Sequence, residues 1–434
     1  YAGWDDPSLD RFSVKFYDAD GTLLQESTVI EGCAATPPIV ESKEEYYRFA
    51  GFEGGDYTNV VENLILTATY ELNTFDTYYF DFILNDESDG YIITDFFGEL
   101  DDSYVLVLPD SYNNLPVVGI LDAEDKESGV FASVVKIGAL YIPSTIKNIG
   151  DYAFMSVDYL NRIVLNEGLE RIGKFAFAAD LSDDFDRIID IHIPSTVKII
   201  DDFAFFFAGF RSVGNSSDHE IVELTFAENS SLERIGISAF DSCTFREINL
   251  PESSSGYIIE KMAFFDNPLL ERISLSASIT EIDDFAFRYC GTYFIASQLS
   301  IRPKDRFAQY FPLPKYITDG FNVVTITIPE ENSLTRIGDG AFEEVRLSGS
   351  LTLRNITDLD DFAFRGHELN GLLFEKLKNI GDYALYGRVV EFSTISAGTI
   401  TTFESGENLE YLGYFAFENE KNITEVDLSN AKVI

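Results

Sequence analysis

The phrase IGDYAF at Ile149–Phe154 decides the fold, because the chain keeps returning to it. IGKFAF stands at Ile172–Phe177, IDDFAF at Ile200–Phe205 and Ile282–Phe287, IGDGAF at Ile337–Phe342, LDDFAF at Leu359–Phe364 and LGYFAF at Leu412–Phe417. The general form is Ile or Leu, then Gly, Asp or Glu, two free positions, Ala, and Phe or Leu. Looser copies begin at Ile235, Ile259 and Ile380, which makes ten. The steps are 23, 28, 35, 24, 23, 55, 22, 21 and 32 residues. Chemistry needs one site, so a phrase spelled ten times reads as a structural rivet.

Between the phrases runs a second constant element, an apolar-alternating strand that often ends in proline. LNRIVL (Leu160–Leu165), IIDIHIP (Ile188–Pro194), IVELTF (Ile221–Phe226), FREINLP (Phe245–Pro251), LERISL (Leu270–Leu275), VVTITIP (Val323–Pro329) and ITEVDL (Ile423–Leu428) are examples. Strand, turn and phrase make one coil of about 23 residues, within the range of leucine-rich-repeat solenoids. One coil cannot bury its apolar face, but stacked coils share a core. The expected fold is therefore a repeat solenoid of α/β type dominated by β, a right-handed coil with a parallel sheet. In each phrase the Ile points inward, the Gly or Asp makes the turn, Ala fits a crowded spot and Phe stacks on the Phe of the next coil. The step of 55 residues is expected to hide a degenerate coil around QLSIRP (Gln298–Pro303), followed by a loop through FAQYFPLPKY (Phe307–Tyr316).

Composition agrees. Of 434 residues, 45% are apolar, enough for a large core, and 38 are Phe against one Trp and two Met, a skew that a Phe ladder explains. Asp and Glu total 74 against 31 Lys and Arg, a net charge of −43. Such a surface repels phosphate backbones, so nucleic acid is not an expected partner. No apolar run is long enough to span a membrane, and none of the chain is expected to insert in one. The chain begins at Tyr1 without a signal-peptide core and reads as a processed or trimmed product.

Two zones precede the repeats. In residues 1–72, FSVKFYDADGTLLQESTVI (Phe12–Ile30) alternates on both sides of an Asp-Gly turn, a hairpin signal, and NLILTATYEL (Asn63–Leu72) supplies another strand. Residues 73–129 carry YYFDFIL, GYIITDFF and SYVLVLP, read as short antiparallel strands forming a lead-in or cap. The charged stretch Asp122–Gly129 is expected to be a surface loop. The solenoid then occupies 130–434.

LYIPSTIKNIGDYAF (Leu140–Phe154) and IHIPSTVKIIDDFAF (Ile191–Phe205) closely resemble the BspA-like leucine-rich repeat, in which a strand, IPSSV and xxIGxxAF follow in register. That resemblance covers residues 130–434. Residues 13–72 resemble the internalin B-type (Listeria–Bacteroides) repeat, through VKFYDADGT, GCAATPP, YRFAGF and LTATYEL, with Phe52 where that family usually has Trp. This second resemblance implies a small β-grasp-like domain. Together they imply a secreted or cell-surface bacterial protein whose array adheres to host or microbial proteins or glycans; the chain is expected to be a monomer. They transfer no ligand residues, since the family has no fixed binding motif.

Motifs for chemistry are missing: there is no P-loop, GxGxxG, GxSxG or HExxH, and an enzyme is not expected. His192, His219 and His367 are far apart in sequence, so neither a metal nor another cofactor is expected. Cys33, Cys243 and Cys290 fit neither a disulfide framework nor a zinc knuckle. Cys243 and Cys290 stand three residues beyond their phrases, at a small, semi-buried repeat position. DADG at Asp18–Gly21 fails the calcium-loop pattern, since the places for an acid and the twelfth-position Glu hold Phe16 and Ser27. Alternation instead nominates the outward face of the strands as a ligand surface: Arg162, Asp190, His192, Glu223, Thr225, Glu247, Asn249, Arg272, Ser274, Thr325 and Thr327. Insertions near 180–187, 211–219 and 302–320 are rival sites. The expected function is non-enzymatic binding through this array, with a purely structural stalk or coat as the alternative.

Overall fold

The computed structural model describes residues 10–40, 47–98, 105–132, 137–157, 160–179, 190–208, 221–291, 322–387, 400–404, 408–420 and 422–423. It divides into two compact units, Tyr1–Phe75 and Asp76–Ile434.

The first unit is a four-stranded sheet of β1 (Arg11–Tyr17), β2 (Leu23–Ile30), β3 (Tyr47–Glu53) and β4 (Leu64–Leu72) in the order β2-β1-β4-β3. The outer pairs are antiparallel and the central pair β1–β4 is parallel, a β-grasp-like arrangement. DADG is a hairpin turn: the Gly21 N–H donates to the Asp18 carbonyl, and the Asp18 carboxylate accepts from the Ala19 N–H and the Tyr70 hydroxyl. Alternation buries Val14, Phe16, Leu64 and Leu66 on one face. Phe52, where the resembling family prefers Trp, packs edge-on against Phe16 at 4.8 Å.

The second unit coils through two parallel sheets. The strands between the phrases, including Ala139–Ile142, Arg162–Leu165, Asp190–Ile193, Val222–Phe226, Phe245–Asn249, Arg272–Ser274 and Val324–Thr327, form an eleven-stranded sheet. Two- to four-residue strands at the start of each phrase, such as Asn148–Ile149 and Arg171–Ile172, line up in a fourteen-stranded sheet. Among the described residues there is no α-helix, only a short 3-10 turn at Thr77–Tyr79. No described helix is long and apolar enough to cross a membrane.

The phrase aromatics form the ladder. Phe154, Phe177, Phe205, Phe240, Phe264, Phe287, Phe342 and Phe364 stack in order, with centroids 5.1–5.4 Å apart and rings within 14° of parallel. Each ring buried contributes roughly 1.5–3 kcal/mol. Phe131 stacks on Phe154 at 4.3 Å, one coil earlier than the phrase pattern reaches. The Ala before each Phe is small because backbones meet there: Phe240 N–H donates to the Ala263 carbonyl, and Phe264 N–H to that of Ala286. All ten phrase alanines are buried.

Three expectations need correcting. The Gly or Asp at the second position opens the turn, its carbonyl accepting from the phrase Ala N–H as Gly236 does from Ala239, but it does not make the reversal alone. The reversal comes at the fourth position, read as free, where φ is positive in every copy: Tyr152, Phe175, Phe203, Ser238, Met262, Phe285, Gly340, Phe362, Tyr383 and Phe415 lie at 52–60°. The second-position Gly serves close approach instead; a Cβ on Gly173 would lie 2.6 Å from the Gly150 carbonyl carbon. The step of 55 residues hides no coil in the ladders, since Arg272–Ser274 pairs directly with Val324–Thr327 and Phe287 stacks directly on Phe342. The Asn322 N–H donates to the Gly291 carbonyl at 2.9 Å, so the chain returns where it left. Finally, residues 80–120 are only partly antiparallel. Phe80–Leu84 and Tyr91–Phe96 form a hairpin, but Tyr91–Phe96 pairs in parallel with Leu115–Ile120, and Val105–Val107 with Ala139–Ile142. These strands open both solenoid ladders because their apolar faces join the same core, with Phe96 against Phe131 at 5.4 Å.

Candidate functional site

The eleven-stranded sheet sorts its residues by alternation. Ile163, Leu165, Ile191, Ile193, Leu224, Ile248, Ile273 and Ile326 are buried inward. The intervening side chains face out, and parallel pairing arranges them in rows. Arg162, Asp190 and Glu223 are in register on neighbouring strands, and His192 is in register with Thr225. Glu247, Arg272 and Thr325 form a second row, and Asn249, Ser274 and Thr327 a third. The pairing of Val222–Phe226 with Phe245–Asn249 has a register shift between Val222 and Leu224, beyond which Leu224 pairs with Ile248 and the face continues. All eleven nominated residues therefore lie on one sheet.

Along the face the polar groups engage one another. His192 Nδ1 lies 2.9 Å from Thr225 Oγ1. Arg272 grips the Glu247 carboxylate, which also accepts from Asn249 Nδ2 at 2.9 Å. Those hydrogen bonds hold Glu247 below the usual carboxylate range. Alternation in the sequence carried the face past Thr327 only at Glu425 and Asp427, yet it also continues in between: Ser348 is in register with Thr325, and Glu368 with Ser348. The alternation of LSGSLTL (Leu347–Leu353) carried that signal, without the proline that marks other strands. Glu425 and Asp427, expected from alternation to face outward, and the insertions near 180–187, 211–219 and 302–320 lie outside the described residues.

The phrase edge carries a second polar array, bound into the stack. Asp151 Oδ1 accepts from the Lys174 N–H, Asp202 Oδ1 from that of Ile237, and Asp382 Oδ1 from that of Tyr414. Arginines just before the phrase clamp these acids across coils. Arg171 reaches Asp122, Asp151 and Asp201; Arg234 reaches Asp201, Asp202 and Glu260; Arg336 reaches Glu281, Asp283, Asp284 and Asp360. Burial works against ionisation of Asp201, but hydrogen bonds from Arg234, the Asp202 N–H and Arg171 outweigh it and hold its carboxyl below the ordinary range. At Asp339 burial and the charges of Asp284, Asp360 and Asp361 act together and push the carboxyl up.

The histidines and cysteines occupy separate environments. His219 lies outside the described residues. His367 is fully buried, its Nδ1 accepting from the Leu369 N–H, and burial lowers its pKa to about 4. Cys243 and Cys290 are fully buried rather than semi-buried, and burial pushes both thiols up. Each donates to a phrase Phe carbonyl of the preceding coil, Cys243 to Phe205 and Cys290 to Phe264, as the Asn267 amide does to Phe240. Polar residues at this repeat position thus supply a hydrogen bond to the stack.

Two parallel ladders sharing one Phe-stacked core define a leucine-rich-repeat solenoid. The chain matches the BspA type leucine-rich repeat region in six copies over residues 125–228, 216–297 and 313–434, more than half its length, and it belongs to that family. Among solved structures it is similar to a leucine-rich repeat protein from Bacteroides ovatus ATCC 8483, with 18% identity, coverage of 80% of each chain and a TM-score of 0.41. It is also similar to a leucine-rich repeat protein of T. pallidum, with 21% identity, coverage of 50% of this chain and 78% of that one, and a TM-score of 0.32. A leucine-rich cell surface protein from Faecalibacterium prausnitzii A2-165 has 15% identity, coverage of 77% and 95%, and a TM-score of 0.24. No curated protein matches the chain. Membership in a repeat family of this kind supports a protein-binding or structural role, and such arrays are generally not enzymes.

Proposed function

We propose that the chain is a non-enzymatic, extracellular or cell-surface binding protein that engages a protein or glycan on host or microbial surfaces through the eleven-stranded sheet. The observation that carries this reading is the set of in-register polar rows, Arg162 to Glu223 and Glu247 to Thr325, exposed over a core that needs none of them. Solenoids offer such extended faces to partners. Surface location is supported by the Faecalibacterium structure, which is described as a cell surface protein. The protein acts as a monomer, and its acidity disfavours nucleic acid as a partner.

The test is charge reversal at Glu223, Glu247 and Arg272 in one protein, assayed against a panel of matrix proteins and glycans and for adherence to cells. Loss of a ligand bound by the parent, with the melting curve retained, supports the face. Retained binding by a folded variant sinks it. The uninterrupted ring ladder favours one other reading, a structural stalk or coat; ordered self-association with no ligand in the panel would mark it.

A further inference from the structure

We draw no further inference here: the strongest candidate, the carboxylate cluster of Asp284, Asp339 and Asp360 on the phrase edge, whose oxygens lie within 4.8 Å of one another, already holds the Arg336 guanidinium through Asp284 and Asp360, and nothing else in the structure points to a cation there.

Discussion

Replacing Phe240 by Ala tests the ladder near its middle. The ring is fully buried, 5.3 Å from Phe205 and 5.2 Å from Phe264, with Phe245 edge-on at 5.8 Å. Truncation forfeits the transfer energy of the ring and leaves a cavity, together about 3–5 kcal/mol. The two stacking contacts, about 0.5–1.5 kcal/mol each, lie inside that figure. Collapse into the cavity is hindered because the backbone is pinned on both sides, by Phe205 N–H to the Ala239 carbonyl and Phe240 N–H to the Ala263 carbonyl. In a repeat array stability is close to a sum of coil and nearest-neighbour terms, so losing one ring weakens two interfaces. Urea unfolding followed by far-UV circular dichroism reads the cost. The control is Phe415→Ala, whose ring is 54% exposed and should cost under about 1 kcal/mol. If Phe240→Ala unfolds within about 1 kcal/mol of the parent, the rings do not hold the coils together and the reasoning is wrong.

Gly340 sits at φ 57° at the left-handed fourth position, where a Cβ would meet the Phe285 ring at 2.8 Å; Gly340→Ala should therefore destabilise by about 1–2 kcal/mol in the same assay. In the native protein a thiol reagent should titrate Cys33 alone, since Cys243 and Cys290 are fully buried, and all three should react in denaturant. Burial takes the His367 pKa from 6.5 to about 4, so the unfolded chain gains the proton first. This contribution to stability is complete above the unfolded value and is lost as pH falls from about 6.5 toward 4, by about 3 kcal/mol. His367→Asn should flatten that arm of the stability curve, and an unchanged slope would refute the assignment. The depressed carboxyls Glu167, Glu247 and Glu252 lose their contribution at lower pH, as it falls through their folded values, and do so in both proteins. Joining Gly291 to Asn322 through a short Gly linker, with 292–321 removed, should leave the melting temperature within a few degrees, because the coils on either side already stack.

The sequence exposes what recurs in residue identity and conceals what recurs only in backbone conformation. The buried Ile, Ala and Phe of each phrase are legible because a packed interior column accepts few side chains, so the same letters return at Ile149, Ala153 and Phe154 and at Ile282, Ala286 and Phe287. The fourth position escapes notice because Tyr, Phe, Ser, Met and Gly all stand there, although the backbone is left-handed in every copy. For a non-glycine residue that conformation costs about 1–2 kcal/mol. The aromatics there recover some of it by stacking, as Phe175 does on Phe203 at 4.6 Å and Phe362 on Tyr383 at 5.3 Å. The missing coil in the long step has a related cause: spacing cannot separate a degenerate repeat from an insertion, and only the pairing of Arg272 with Thr325 does so. The nominated face was legible as a list because strand alternation has period two. The bulge between Val222 and Leu224 was not, since it leaves no mark in composition, although Leu224 pairs with Ile248 beyond it and the face runs on. That continuity bears on function: a ligand laid along the solenoid meets Arg162, Asp190 and Glu223 and then Glu247, Arg272 and Thr325 on successive strands. Variants at Glu223 and at Glu247 should therefore both weaken such a ligand, whereas a merely solvated face would respond to neither.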